Sequence, residues 1–92
     1  MKAGEEQIVK IAKALADKSR VRIVQEIARR GSVTCGDAVD IACLSQPTVS
    51  HHVKVLIDAG ILLAVKEGRH VMITVNKDVL KEFAVLLTAS AA

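Results

Sequence analysis

Apolar residues at Ile8, Ile11, Ala12 and Leu15 repeat at the i, i+3, i+4, i+7 spacing of one helical face, which predicts a first amphipathic helix over Glu5–Leu15. Asp17 offers an N-cap to a second helix, whose apolar stripe is Ile23, Val24, Ile27 and Ala28. Arg29 and Arg30 complement the dipole at its end, and Gly31 suits the left-handed residue that closes it. Ser32–Thr34 is short and β-leaning. Thr34-Cys35-Gly36-Asp37 then has the form of a capping box and opens a brief third helix, Cys35–Ala42. Cys43-Leu44 reads as a tight turn. Ser45 caps a fourth helix, Ser45–Asp58, which tolerates Pro47 in its first turn, points Val49, Val53 and Leu56 inward and stops at Gly60.

From Ile61 the apolar period changes from 3.6 to 2. Val71, Ile73 and Val75 alternate with His70, Met72 and Thr74, the pattern of a half-buried strand, and Lys66-Glu67-Gly68-Arg69 reads as the tip of a hairpin. Asn76 caps a last helix, Lys77–Thr88, whose apolar residues Val79, Leu80, Phe83, Ala84, Val85, Leu86 and Leu87 surround most of its axis. A helix apolar all round cannot lie bare on a small domain, so this one calls for a second surface to cover it. The expected fold is mainly α with a small β-hairpin, in the order α-α-β-α-α-β-β-α. That is a winged helix-turn-helix with an extra helix at each end, in one domain over residues 1–92.

Size makes the need for a partner more pressing. A chain of 92 residues buries only about 60–65% of its unfolded surface and gains from oligomerising. The sequence holds one aromatic residue, Phe83, so the core must be built from Val, Ile, Leu and Ala, which suits thin packed helices better than a deep ligand pocket. A net charge of +3 permits nucleic-acid binding without demonstrating it. Met1–Gln7 is polar, with no hydrophobic signal core, and the longest purely apolar run, Ile61–Val65, is far short of a membrane span. Two cysteines make no disulfide framework, and a reducing cytoplasm is the expected location.

The fourth helix carries the chemistry. With Val49, Val53 and Leu56 turned inward, Gln46, Thr48, Ser50, His51 and Lys54 project outward. These are short hydrogen-bonding groups with one cation, where a plain solvated face would carry Glu and Lys. Gln pairs with adenine through two hydrogen bonds, Ser and Thr suit several base edges, and Lys54 suits a phosphate or guanine. No acidic residue between Leu44 and Ile57 repels phosphate. As the second helix of a helix-turn-helix, it is the element that enters the major groove of double-stranded DNA. Ser50-His51 has neither an orienting acid nor a pocket, so no enzyme and no cofactor are expected. A winged helix that binds protein is the alternative from another class, and acidic or apolar residues on this face would favour it.

Leu44-Ser45-Gln46-Pro47-Thr48-Val49-Ser50-His51-His52-Val53-Lys54-Val55-Leu56, followed by Ala59-Gly60-Ile61, resembles the recognition-helix signature of the ArsR family of metal- and stress-responsive repressors. Leu15-Ala16-Asp17-Lys18-Ser19-Arg20-Val21-Arg22-Ile23 resembles the opening of that family's second helix, and Glu67-Gly68-Arg69-His70-Val71 its wing. The resemblance implies a repressor that binds an inverted-repeat operator and is released by an effector. It also implies a homodimer through the first and last helices, with Ile8, Ile11, Leu15, Leu80, Phe83 and Leu87 at the interface. Arg20 then stands where the second helix approaches the DNA backbone, or else pairs with a neighbouring acid. Lys66, Arg69 and His70 contact phosphate or the minor groove from the wing, or are simply solvated.

The resemblance leaves the effector open. Family members sense metals through a Cys-x-Cys pair on the third helix or through His and acidic ligands on the last. Here the third helix offers Cys35 with Asp37, and the last helix has Asp78 and Glu82 without a histidine, so no metal site is expected. Cys35, in the first turn of a helix whose dipole favours negative charge, and Cys43, in the turn, are candidate redox or reactive-sulfur sensors. The plainer alternative is that both thiols pack structurally.

Overall fold

The computed structural model describes residues 4–89, so the first three residues of the polar N-terminal stretch lie outside it. Its elements are α1 (Glu5–Leu15), α2 (Lys18–Arg30), β1 (Val33–Thr34), α3 (Cys35–Ala42), α4 (Gln46–Asp58), β2 (Leu62–Glu67), β3 (His70–Val75) and α5 (Lys77–Thr88). This is the expected order, mainly helical with one antiparallel sheet.

Local signals set most boundaries. The Asp17 carboxylate accepts from the Arg20 amide at the start of α2, and Gly31 closes that helix at φ +94°. Thr34 and Asp37 complete the capping box in both directions: Asp37 N–H donates to Thr34 Oγ1 at 3.2 Å and Thr34 N–H to the Asp37 carboxylate at 3.0 Å. The Thr34 amide, donating to it, chiefly holds the Asp37 carboxyl below its ordinary range. The Asn76 side chain caps α5 through Val79 N–H. Ser45 differs: it occupies the N-cap position of α4, but its hydroxyl bonds to the Thr48 hydroxyl at 2.9 Å and caps no backbone amide. Cys43, at φ 55°, supplies the left-handed step from α3 towards α4.

The core gathers the inward face of every layer. Ile23 and Ile27 of α2, Leu56 of α4, Ile61, and Ile73 of β3 are fully buried together, with Val33 and Leu62 beside them. Ile11 is 1% exposed and belongs to this core, so its expected place at a dimer interface is corrected: the protomer itself buries it. Ala12 stands about 100° round the helix from Ile11 and is exposed, while Ala14 is buried in its place. Ala28, expected on the α2 stripe, is exposed as well.

The sheet order is β1-β3-β2. Val33 pairs with Ile73 and Thr34 with Met72, while β2 and β3 pair from Leu62–Val75 out to Glu67–His70. Lys66 and Glu67 therefore belong to the ladder, and the tip is only Gly68-Arg69, with Gly68 at φ +59°, a conformation glycine adopts freely. Burial fades along the hairpin. Leu62 and Ile73 are buried, but Val71, expected to be half-buried, is exposed because the outer part of the hairpin projects past the core.

Candidate nucleic-acid interface

Helix α4 is anchored by one row of side chains and displays the other. Val49, His52, Val53 and Leu56 are buried, while Gln46, Thr48, Ser50, His51 and Lys54 are all exposed. At about 100° per residue, His51 and Lys54 stand opposite the buried row, with Ser50 next to them, and Gln46 and Thr48 lie on opposite flanks. Thr48 shares its hydroxyl with Ser45, which steadies its oxygen at the N-terminal end of the helix. An open groove of about 200 Å³ runs between α3 and α4, floored by Val39 and Val53 and edged by Cys35, Gln46, Ser50 and Lys54. The Cys35 thiol thus borders three of the side chains expected to read DNA, which spacing along the sequence did not suggest.

On the wing, Lys66 and Arg69 are exposed, with Arg69 at the hairpin tip. That exposure fits a phosphate contact and simple solvation equally. The wing is joined to the helix-turn-helix through one residue: Thr34 is at once the last residue of β1, paired to β3, and the N-cap of α3.

Arg20 departs from expectation. Its side chain is only 15% exposed and its guanidinium is engaged inside the protomer. Nε donates to the Ala14 carbonyl at 2.6 Å, Nη2 to the Lys13 carbonyl at 3.3 Å, and Nη1 lies 3.2 Å from His52 Nδ1. Asp17 is 3.9 Å away, and the Arg20 amide and charge hold its carboxyl below the ordinary range. The guanidinium expected near the DNA backbone thus has its partners inside the protomer, and the ion-pair alternative describes part of that arrangement. His52 was missed as a structural residue. Its signal was its position, three residues from Val49 and four from Leu56 on the inward face of α4.

Both cysteines are free and exposed, so neither packs as a buried thiol; Cys43 Sγ lies 3.5 Å from the Asp40 carbonyl. At the other end of the molecule α5 has no buried residue, although Leu80 and Phe83 lean on the core. Leu87 is 59% exposed and Val85 63%, and α1 adds Val9 at 49%. Ile8 and Leu15 are half-buried. Val9 and Val85 were not singled out as interface residues from the sequence, though Val85 was part of the all-round apolar pattern. Among the described residues no helix is long and apolar enough to cross a membrane.

Comparison with known proteins agrees with this architecture. The profile of a helix-turn-helix domain family matches residues 15–65. An uncharacterized HTH-type transcriptional regulator from Methanocaldococcus jannaschii is 35% identical over 82 residues, covering 89% of this chain and 92% of that protein. An arsenical resistance operon repressor from Staphylococcus xylosus is 34% identical over 70 residues, 76% of this chain and 66% of that protein's length. Among solved structures, an ArsR-like transcriptional regulator from Rhodococcus sp. RHA1 superposes with a TM-score of 0.85 at 21% identity, covering 91% of this chain and 78% of that one. A homodimeric winged helix-turn-helix DNA-binding domain from Mycobacterium bovis, of a possible ArsR-family regulator, superposes with a TM-score of 0.75 at 23% identity, covering 94% of this chain and 80% of that one. At those identities the two structures speak to the fold.

Proposed function

The chain belongs to the ArsR family of winged helix-turn-helix transcriptional repressors, and from that premise we propose that it acts in the cytoplasm as a homodimer on an inverted-repeat operator in double-stranded DNA. The family consists of regulators rather than enzymes. The observation that carries the proposal is the outer face of α4, where exposed Gln46, Ser50, His51 and Lys54 stand on a helix pinned by four buried side chains. A rigid helix with hydrogen-bonding groups and no acidic residue before its last turn fits the major groove. Lys66 and Arg69 add charge on the wing, where phosphates attract it. The outward Val85 and Leu87 of α5 and Val9 of α1 supply an apolar surface for a second copy, and the homodimeric M. bovis relative of the same fold supports that assembly. In the proposal an effector controls release from DNA, as the family resemblance implies.

The test is a fluorescence-anisotropy titration with a labelled duplex from the region upstream of the protein's own gene. Saturable binding that weakens steeply with salt and outcompetes scrambled DNA is the expected result. Equal affinity for both duplexes would remove the claim of sequence-specific repression.

A further inference from the structure

One guanidinium joins three helices. Lys13 and Ala14 present carbonyls from the last turn of α1, where Lys13 already takes the Ala16 amide, and Arg20 of α2 donates to both while reaching His52 in the middle of α4. The positive group also lies where the α1 dipole favours it. Arginine only donates, so His52 Nδ1 must accept and the proton of the neutral ring resides on Nε2. His52 is 9% exposed and is the buried polar side chain of the core, one residue beyond the outward His51. Asp17 on the α2 cap and His51 on α4 are the other titratable groups near this pair; the two imidazole rings are 6.0 Å apart.

We propose that Arg20 and His52 are positioning residues for operator recognition, forming a strut that sets the angle of the reading helix α4 against the dimer helix α1. This rests on the reading of the protein as a dimeric DNA binder. Two-fold symmetry gives the strut its importance: any tilt of α4 relative to α1 is repeated in the second protomer, so it changes the separation of the two reading helices as well as the orientation of each. The strut touches no DNA. It acts on specificity through Gln46 and Ser50, and its loss falls on the operator more heavily than on DNA of arbitrary sequence. Lysine cannot replace Arg20, because a single ammonium does not reproduce the planar fork that spans Ala14, Lys13 and His52.

The experiment compares wild type with His52→Leu, which keeps bulk and removes the acceptor, and His52→Asn, whose Oδ1 takes the place of Nδ1. Affinity is measured for the duplex that wild type selects from a random pool and for a scrambled duplex, and residual dipolar couplings give the α1–α4 angle without DNA. His52→Leu should lose roughly tenfold on the selected duplex, the scale of one hydrogen bond to a charged group. It should change little on the scrambled one, and its α1–α4 angle should shift. His52→Asn should restore both affinity and angle, and wild-type imidazole ¹⁵N shifts should show the Nε2–H tautomer. Equal losses on both duplexes, or a His52→Leu defect that asparagine does not repair, would overturn the strut. If wild type selects no duplex, the DNA-binding reading fails, and the angle alone decides: an unchanged angle in His52→Leu refutes the strut.

Discussion

Arg30 Nε lies 3.1 Å from the Glu26 carboxylate, one turn earlier on α2, and Arg29 bonds to the same oxygen. Hydrogen bonds from the two guanidinium groups, Arg29 first, hold the Glu26 carboxyl down, from an ordinary value of 4.5 to about 2. Because the folded value is depressed, the stabilisation is complete above pH 4.5 and is lost as pH falls towards 2. Glu26→Gln should therefore lower stability at neutral pH, with its deficit against wild type vanishing near pH 2. Urea titrations across that range check it; a deficit that stays constant with pH would show that the carboxylate is not the source.

The exposed apolar surface of α5 predicts how the proposed dimer can be broken without unfolding the protomer. Leu87 is 59% exposed and Phe83 leans on the core, so Leu87→Asp should shift sedimentation from dimer to monomer while helical content is kept. Burying that charge between two protomers costs several kcal/mol, and operator affinity should fall with it. A Leu87→Asp variant that sediments as the wild type does would place the interface elsewhere.

Helix and wing should separate in their effects on DNA. Gln46→Ala or Ser50→Ala should each reduce discrimination between operator bases by about 1–3 kcal/mol at the base pair that the side chain reads. Arg69→Ala should weaken all duplexes alike and reduce the salt slope by about 1, the signature of one phosphate contact. Competition titrations at several salt concentrations read both. A change of base preference in Arg69→Ala alone would reverse the assignment.

The groove between α3 and α4 predicts unequal consequences for the two exposed thiols. Cys35 borders the groove together with Gln46, Ser50 and Lys54, so an N-ethylmaleimide adduct there should block DNA binding, and Cys35→Ser should protect. Cys43 is outside that lining, and its adduct should be tolerated. The eight-residue separation along α3 corresponds to roughly 12 Å, beyond the ~7 Å limit for a disulfide, so mild oxidation should give no intrachain bridge. Mass spectrometry with a binding assay on singly modified protein measures all three outcomes.

Periodicity and caps made the order of elements legible because each signal is local: Asp17, Thr34-Asp37 and Asn76 cap where their residue types and spacing say they should. The exposed row of α4 was legible for the same reason, as the complement of Val49, Val53 and Leu56. Arg20 and His52 were not, because the bond between them depends on how α1, α2 and α4 cross. Ile11 shows the same limit. Its spacing marks an apolar face, but spacing cannot distinguish a face turned to the protomer's own core from one turned to a second copy.

The pairing of Val33 with Ile73 has a consequence for the order in which the chain folds. The β2–β3 hairpin turns on two residues, and the helices nucleate from neighbours, but β1 gains its partner only after a loop containing α3, α4 and β2 has closed. Loop closure of that length is entropically costly before any contact repays it, so β1 is expected to dock late, after the folding barrier. Val33→Ala should accordingly speed unfolding and leave the folding rate nearly unchanged, and a chevron plot distinguishes that from a slowed folding limb. During synthesis, α3 leaves the ribosome with its cap residue Thr34 still unpaired, and the support under the helix-turn-helix is completed only when Ile73 and Met72 have followed.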